Sequence, residues 1–314
     1  MVSLPERPGI TALVTLGRRL IGGLLTAVAA VTLTFFALRL AAGDPVASLL
    51  SQGLTTPEQA ETLRRNLGYH LPLLQQYLLF LNNLARGNLG VSLYSGQSVS
   101  AIIGSQLPST LQLAALSLAI ALPLGILLGS ASSWKTRPAA QRTAITLSGL
   151  ATSLPVATTG IISLLIVGFL AGGQARGVQL WLPALVLGFA ASGPFARAVH
   201  SGLESSLSSP YILAAKARGL RRGRRIYWHA LRPALPAAIA LIALEAAFLF
   251  AGAVVTETVF SRPGLGRTLV RSILQADFPV AQGIVALAAL LYVGSQVVAD
   301  GLGWMLDPRL RDRG

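Results

Sequence analysis

Residues 211–236 read YILAAKARGLRRGRRIYWHALRPALP and form the most polar stretch of an otherwise apolar chain. Seven of the 25 Lys and Arg residues lie between positions 216 and 232. Because positive charge resists translocation, such a cluster between apolar runs indicates a cytoplasmic loop. Residues 211–218 lack Gly and Pro and are rich in Ala, Leu, Lys and Arg, so they predict a short helix, with Gly219 as its C-cap. We expect this helix to lie across the cytoplasmic face rather than through the membrane.

The composition is that of an all-α integral membrane protein. Of the 314 residues, 53% are hydrophobic and only 11% are charged, and the mean hydropathy is +0.64. This balance excludes an ordinary soluble domain. The absence of cysteine excludes disulfides and thiolate metal sites. The net charge of +14 lies between apolar spans, so we expect it to meet lipid headgroups and an acidic partner rather than nucleic acid.

Hydrophobic runs of membrane-spanning length predict six transmembrane helices. They cover approximately residues 20–38, 109–128, 143–170, 180–203, 233–255 and 281–305. With this topology, 17 Lys and Arg residues fall on the cytoplasmic side and eight on the outside, which places both termini in the cytoplasm.

The chain is thereby divided into tails, a first helix, an outer segment and a core. The divisions are a cytoplasmic tail (1–19), a first transmembrane helix (20–41), an extracytoplasmic helical segment (42–108), a five-helix core (109–305) with a basic loop (204–232), and a cytoplasmic tail (306–314). In the outer segment, Thr56-Pro57-Glu58 predicts a helix start, and a second, amphipathic helix is expected from Pro72 to about Ala85. We expect this segment to rest on the membrane.

Three features inside the predicted spans have structural or functional implications. Gly125 and Gly129 have the spacing of a close-packing GxxxG pair. Pro155, in the middle of a span, predicts a kink because it frees a backbone carbonyl. Glu245 is the one acid deep within a predicted span, and an intramembrane carboxylate usually faces a cavity or a partner. Glu245 is therefore the candidate pathway residue.

The basic stretch resembles the cytoplasmic loop that marks permeases of ABC transporters. Ala214, Ala215 and Gly219 match that family's pattern, whereas Leu213 stands where many members carry an acid. Similar motifs follow each other in the family's order along nearly the whole chain. They are Ala42-Gly43-Asp44-Pro45, Pro72-Leu73-Leu74-Gln75-Gln76-Tyr77, Gly87-Asn88-Leu89-Gly90, Glu257-Thr258-Val259-Phe260, Pro263-Gly264-Leu265-Gly266 and Leu306-Asp307-Pro308-Arg309. The chain is similar to the first of the two permeases in the dipeptide, oligopeptide and nickel group.

The resemblance implies the type I ABC importer permease fold and a heteromeric importer in a bacterial inner membrane. Its expected partners are a second homologous permease, two ABC ATPases and an extracytoplasmic substrate-binding protein. In such a machine the loop helix couples the permease to an ATPase. The residues implied in that coupling are Tyr211, Leu213, Ala214, Ala215, Lys216, Ala217, Arg218, Gly219 and Leu220. The segment Pro263, Gly264, Leu265 and Gly266 becomes the candidate contact for the binding protein.

The residues themselves indicate that ATP is hydrolysed elsewhere. A phosphate-binding P-loop needs Gly-Lys-Ser/Thr, but the only lysines, Lys135 and Lys216, follow Trp and Ala. We expect no catalytic residue and no cofactor in this chain, with Mg-ATP bound by the partner ATPases. His70, His200 and His229 are scattered, so structural roles are favoured and no metal site is expected.

Two questions stay open from the sequence. Di- or oligopeptides are the first expectation for the substrate, whereas nickel or other metal chelates, glutathione and oligosaccharides are the alternatives on the same scaffold. The rival from another class is a stand-alone secondary transporter. That reading needs inverted repeats or several intramembrane charges, and the sequence has neither clearly.

Overall fold

The structure is a computed structural model that describes residues 8–170 and 178–306, and in these ranges the chain is built from helices. The helices are α1 (Pro8–Ala42), α2 (Pro45–Ser51), α3 (Pro57–Asn66), α4 (Leu73–Ala85), α5 (Val99–Ser132), α6 (Pro138–Ser153), α7 (Val156–Leu170), α8 (Val178–Leu207), α9 (Pro210–Ala217), the single turn α10 (Arg222–Arg224), a π-helix (Arg225–Ala230), α11 (Leu231–Val259), α12 (Leu265–Leu274) and α13 (Phe278–Leu306). The only β feature in the described ranges is an isolated bridge between Val91 and Ser98. The prediction of an all-α protein is confirmed.

Four helical stretches in the described part are long and apolar enough to cross a membrane. They are Gly17–Ser51, Val99–Ser132, Leu180–Leu207 and Phe278–Ala299. The pair α6 and α7 would make a fifth span, and α11 contains the shorter apolar stretch Phe248–Val259. The number six and the cytoplasmic position of both termini stay predictions, and the tail beyond residue 306 lies outside the described residues.

The third predicted helix, residues 143–170, is two helices rather than one kinked helix. α6 and α7 meet at an angle of 107°. Leu154, between them, has extended backbone angles (φ −81°, ψ 125°). Proline disfavours the helical conformation in the residue before it, because its ring clashes with that residue's backbone. Pro155 therefore breaks the helix, which is a stronger effect than the kink predicted from the sequence.

Other predicted boundaries were also wrong. α5 begins at Val99 rather than near residue 109, because the helix runs through Pro108 instead of starting after it. The second half of the predicted basic loop, from Arg222 onward, is helical and leads directly into α11. The amphipathic helix α12 was not predicted, because its ten residues were interpreted only as a loop between spans.

The two helices predicted in the outer segment are present. α3 begins with a capping box: the Gln59 N–H donates to the Thr56 hydroxyl (3.3 Å), and the Thr56 N–H donates to Gln59 Oε1 (3.1 Å). Such reciprocal bonds satisfy backbone donors that a helix start otherwise leaves unpaired. α4 begins at Leu73 and ends at Ala85, close to the predicted bounds.

The chain divides into two compact units. Unit 1 comprises Met1–Gly23, Leu111–Arg262 and Tyr292–Gly314 as far as they are described. In this unit α8 packs most extensively against α11 and α6. A Cβ added to Gly125 would lie 2.5 Å from Phe195 Cβ, and one added to Gly129 would lie 2.6 Å from the Ala196 carbonyl oxygen. The predicted GxxxG pair is thus a site of backbone contact between α5 and α8.

Unit 2 comprises Leu24–Thr110 and Pro263–Leu291. Its clearest polar feature is Asp277, which precedes α13 and is 4% exposed. The carboxylate accepts hydrogen bonds from the Ser92 hydroxyl (2.5 Å) and from the Leu93 N–H (3.1 Å). We call this arrangement the Asp277 latch. It fastens the loop between α4 and α5 to the start of α13, because a buried carboxylate has to be hydrogen-bonded.

A second contact in unit 2 joins α1 to α4. The Arg39 guanidinium lies 3.5 Å from the centre of the Phe35 ring, and Arg39 Nε donates to Gln76 Oε1 (3.0 Å). The Thr32 and Tyr77 hydroxyls are 2.7 Å apart, and Tyr77 packs edge-on against Phe35. Aromatic packing and a cation over a ring both add to the burial of apolar area, so α4 is held firmly along α1.

Candidate functional site

The candidate site is built on α9, and the residues before this helix define its N-terminal end. Ser209 has extended backbone angles (φ −75°, ψ 150°) and Pro210 occupies the first helical turn. Proline suits that position because its missing N–H would have had no partner there. Lys216 lies in the last turn, where a positive charge interacts favourably with the helix dipole.

α9 ends at the glycine that the sequence indicated. Gly219, directly after the C-cap Arg218, has φ +78°, a left-handed conformation that glycine adopts without steric penalty. The Gly219 N–H donates to the Lys216 carbonyl (3.0 Å), and the Leu220 N–H donates to the Ala215 carbonyl (3.2 Å). This pair of bonds is the Schellman motif, which satisfies the last carbonyls and turns the chain away. The predicted helix and its glycine stop are therefore confirmed.

One buried side chain anchors α9 to unit 1. Ile212 is 2% exposed and joins a cluster with Val199 and Leu203 of α8 and with Ile226 and Ala230 of the π-helix. Burying such a side chain stabilises the contact by about 1.5–3 kcal/mol. The π-helix thus has a definite role, because it supplies half of the socket for Ile212.

The rest of α9 faces outward. Tyr211 is 48% exposed and Leu213 is 59% exposed, on either side of the buried Ile212. The other exposed positions are Ala214, Lys216, Ala217, Arg218 and Gly219, while Ala215 and Leu220 are half-buried. We call this the α9 surface. Large apolar side chains next to positive charges are typical of a docking site for a partner whose groove is apolar with an acidic rim.

The structure adds aromatic residues that sequence reasoning missed. Tyr227 is 46% exposed and Trp228 is 58% exposed, both in the π-helix. The Arg232 guanidinium lies 4.6 Å from the Trp228 ring centre, and Trp134 of the preceding basic loop packs 6.2 Å from Tyr227. Two adjacent aromatic residues within a run of arginines were the available signal, since such pairs rarely occur in a merely solvated loop.

Two polar contacts fix the neighbouring loop. Lys135 Nζ lies 3.3 Å from Glu204 Oε1 of α8. The Nδ1 atom of His200 lies 2.9 Å from the Ser132 hydroxyl and 3.0 Å from the Ser133 hydroxyl. The contact of His200 is thus structural, as expected. Among the described residues there is no group of three or more His, Asp or Glu side chains placed to hold a metal ion.

Glu245, the predicted pathway candidate, is not part of the α9 surface. It lies at the midpoint of α11 and is 8% exposed, and its Oε2 atom has no hydrogen-bond partner among the described residues. A buried carboxylate without a hydrogen-bond partner is costly, so it calls for a functional explanation.

The predicted binding-protein contact, Pro263 to Gly266, is mostly enclosed within unit 2. Leu265 is fully buried, and its N–H donates to the Thr110 hydroxyl (2.9 Å). The Ser109 hydroxyl donates to the Pro263 carbonyl (2.5 Å). Gly264 and Gly266 are buried as well, so Pro263 is the member of the four that is exposed. Any contact that this segment makes with another protein therefore falls on Pro263.

The sequence profile described as "Binding-protein-dependent transport system inner membrane component" matches residues 121–312, which include the whole α9 region. A second profile, for the N-terminal part of such membrane components, matches residues 12–114. The chain therefore belongs to the family of inner-membrane components of binding-protein-dependent transport systems. It is a multi-pass permease of the ABC transporter class.

Individual relatives agree with this assignment. The chain is 36% identical to the dipeptide transport system permease protein DppB of Lactococcus lactis over 92% of this chain and 96% of that protein. It is 33% identical to the di/tripeptide permease DppB of Pseudomonas aeruginosa (89% and 93% covered) and 30% identical to DppB of Escherichia coli K12 (90% and 94%). A crystal structure of an amino acid ABC transporter with histidines matches with a TM-score of 0.51 at 16% identity, over 67% of this chain and 94% of that chain. That similarity confirms the ABC permease fold.

Proposed function

We propose that this chain is one of two permease subunits of an ATP-driven importer of di- and oligopeptides. A second, homologous permease completes the translocation pathway, and two ABC ATPases on the cytoplasmic side bind Mg-ATP and hydrolyse it. An extracytoplasmic binding protein delivers the peptide. The names of relatives that span nearly the whole chain support peptides as the substrate class, ahead of metal chelates, glutathione or oligosaccharides.

The observation that carries this proposal is the α9 surface. The Schellman motif fixes the C-terminal end of α9, and Ile212 anchors the helix to unit 1. Tyr211 and Leu213 nevertheless remain exposed. A helix with that combination transmits force well, because its outer face can dock into another protein while its inner face moves α8 and the π-helix. The nine residues from Tyr211 to Leu220 other than Ile212 are the proposed ATPase contact.

The same architecture suggests how docking is converted into gating. The socket of Ile212 is built from α8 and from the π-helix that continues into α11, so displacement of α9 acts on both long helices. α8 contains Pro183 and Pro194, α11 contains Pro236, and the break at Pro155 separates α6 from α7. We propose that these helices move between inward-open and outward-open arrangements, with Glu245 on the pathway between them. On the outer side, Pro263 is the proposed contact for the binding protein.

Reconstitution of the whole machine tests the proposal. The chain would be co-expressed with a homologous permease and two ABC ATPases from the same organism, purified as a complex and placed in lipid vesicles. We expect ATP-dependent uptake of a labelled dipeptide, stimulated by the loaded binding protein and lost when the ATPases are omitted. Transport by this chain alone, without an ATPase bound, would instead support the secondary transporter.

A binding assay with the isolated binding protein then tests the substrate class. Di- and tripeptides are expected to bind, whereas Ni²⁺ chelates, glutathione and oligosaccharides are expected to compete weakly or not at all. Preferential binding of any of those three classes would keep the importer mechanism and replace the peptide assignment.

A further inference from the structure

Two arginine–tryptophan pairs are joined into one cluster in unit 1. The Arg137 guanidinium lies 4.7 Å from the Trp134 ring centre, and the Arg232 guanidinium lies 4.6 Å from the Trp228 ring centre. Tyr227, next to Trp228 in the π-helix, packs against Trp134 with 6.2 Å between the ring centres and so links the two pairs. We call these five residues the Trp–Arg cluster.

The Trp–Arg cluster lies at the ends of helices that cross, or are predicted to cross, the membrane. Trp134 is two residues beyond the apolar stretch Val99–Ser132, and Arg137 directly precedes α6. Arg232 is the second residue of α11, directly before the span predicted to begin at residue 233. Trp and Tyr are enriched at the membrane–water interface, and an arginine near a span end extends its charge to the same level. The cluster is therefore placed at the level of the lipid headgroups.

The protein itself does not neutralise the positive charges of the cluster. Arg137 and Arg232 are exposed, and within the described ranges neither guanidinium donates a hydrogen bond or forms an ion pair. Residues 205–244 contain no Asp or Glu. Glu204, the acid just before this range, is already paired with Lys135, at a distance of 3.3 Å. The two guanidinium groups are thus available to an anion from outside the chain.

The arrangement of rings and guanidinium groups suits the phosphate of a lipid. A ring over the face of a guanidinium attracts its positive charge and leaves the planar fork of N–H donors for an anion. That fork can bind a phosphate through two parallel hydrogen bonds. Beside these donors, Tyr227 is 46% exposed and Trp228 is 58% exposed, so apolar ring surface is available to the glycerol group and the first acyl carbons. A phospholipid matches both features, whereas a free anion matches only the charge.

We propose that the Trp–Arg cluster is a binding site for an anionic phospholipid of the cytoplasmic leaflet. Arg137 and Arg232 contact headgroup phosphates, and the exposed rings of the π-helix lie among the glycerol groups. The negative surface potential of that leaflet attracts basic segments next to a membrane span, so the charges are complementary. The inference goes beyond the proposed function, because it concerns a lipid partner and does not depend on the substrate.

The site has a structural consequence for α9. The π-helix that carries Tyr227 and Trp228 also supplies Ile226 and Ala230 to the buried cluster that holds Ile212 of α9. A lipid bound to the outer side of the π-helix therefore holds the same element that anchors α9 on its inner side.

Native mass spectrometry of the purified full chain in neutral detergent tests the proposal. Phosphatidylglycerol and phosphatidylcholine with identical acyl chains are titrated separately, and the ratio of their dissociation constants gives the headgroup preference. Each arginine near a membrane surface contributes about 1 kcal/mol, a factor of about five, so the wild type should prefer phosphatidylglycerol by about 25-fold. R137Q and R232Q should each lower this preference about fivefold, and the double variant should nearly abolish it.

Two matched controls separate the site from general attraction by charge or by aromatic surface. R86Q R142Q removes the same number of positive charges from exposed positions and should keep the preference. W228L should lower the preference severalfold, because Arg232 loses the ring that orients it. W181L should not, although Trp181 is 59% exposed and Trp228 is 58% exposed. Melting temperatures in lipid-free detergent should be the same for all these variants.

The contrary results are clear. Equal affinity of the wild type for the two lipids would overturn the proposal, and so would an equal loss of preference in R137Q R232Q and R86Q R142Q. R137K R232K keeps both charges and should retain part of the preference. If the headgroup preference is absent and W228L, but not W181L, reduces the recovery of ATPase with the permease, the cluster is a protein interface and the lipid site is refuted.

Discussion

The Asp277 latch of unit 2 and the α9 surface of unit 1 differ in how far their central side chains are exposed to solvent. Asp277 is nearly fully buried, and both of its acceptor oxygens are hydrogen-bonded within the chain. Tyr211 and Leu213 of α9 are about half exposed and contact no partner that would cover them within the described chain. The polar groups of the first region are paired within the chain, whereas the second region leaves apolar side chains exposed, which we propose another protein covers.

We therefore propose α9, rather than α12, as the docking element. α12, like α9, follows a long helix after a short connection, but it buries Leu265, Gly266 and Ser272. α9 buries only Ile212. Both helices expose large apolar side chains, Ile273 and Leu274 on α12 and Tyr211 and Leu213 on α9, so what distinguishes them is that α12 buries three residues and α9 one. Changes in the latch should therefore affect stability, and changes on the α9 surface should affect assembly.

The largest effect on stability is expected from D277A. This change leaves the Ser92 hydroxyl and the Leu93 N–H without their acceptor in a buried place, at a cost of about 3 kcal/mol. Thermal unfolding in detergent should show a clearly lower melting temperature. D277N should lie between D277A and the wild type, and E58A, which removes an exposed acid of α3, should change little. Equal melting temperatures for D277A and E58A would contradict the latch.

On the α9 surface, L213D should reduce the recovery of ATPase with the purified permease at least tenfold without lowering its melting temperature. It places a charge in the apolar part of the proposed contact, and desolvating that charge costs more than about 1.4 kcal/mol. L54D is the matched control, because Leu54 and Leu213 are both 59% exposed. If both variants lost ATPase to the same degree, the α9 surface would have no special role.

A smaller effect is expected at the end of α9. Alanine at position 219 has to adopt φ +78°, which costs about 1–2 kcal/mol. G219A should therefore loosen the turn after α9 and weaken ATPase stimulation by the binding protein. Gly223 has no positive φ and nothing within 4 Å of an added Cβ, so G223A should be neutral or slightly stabilising. Similar behaviour of the two variants would show that the Schellman turn is dispensable.

The smallest effect concerns Tyr69 in unit 2. Desolvation raises its pKa from 10 to about 12; nearby Arg39 opposes this shift, and Asp44 and Asp277 add to it. Because the folded state prefers the neutral phenol, its contribution to stability is intact below pH 10 and is lost as the pH rises from 10 to 12. Y69F should therefore show a shallower fall in melting temperature across that window. Parallel curves for Y69F and the wild type would contradict the shift.

Sequence reasoning succeeded where local chemistry fixes the outcome. Gly219 ends α9 because few other residues adopt its conformation, and Thr56 starts α3 through bonds to a residue three positions away. Gly125 and Gly129 were recognisable as a pair because their spacing alone places them on one helix face. Each of these features depends on a few neighbouring residues.

The misses depend on contacts between residues far apart in the sequence. Leu265 is fully buried and its N–H donates to the Thr110 hydroxyl, 155 positions away, a contact that no local pattern reveals. The π-helix before α11 was interpreted as part of a loop. Its residues Ile226 and Ala230 pack in one buried cluster with Ile212 of α9, a contact between elements that the local sequence does not indicate. The hydrogen bond from Arg197 to the Thr152 hydroxyl, 45 positions away, is another contact that no local pattern reveals.

The most direct test of the central claim uses the absence of cysteine in this chain. In L213C the introduced thiol is the only one in the subunit, so a crosslink reports α9 alone. In membranes containing the complete transporter, we predict that a short thiol–amine crosslinker joins this chain to an ATPase subunit, and that L54C gives no such product. If L213C reacts fully with a soluble thiol reagent in the complex but never crosslinks to an ATPase, α9 is not the coupling element.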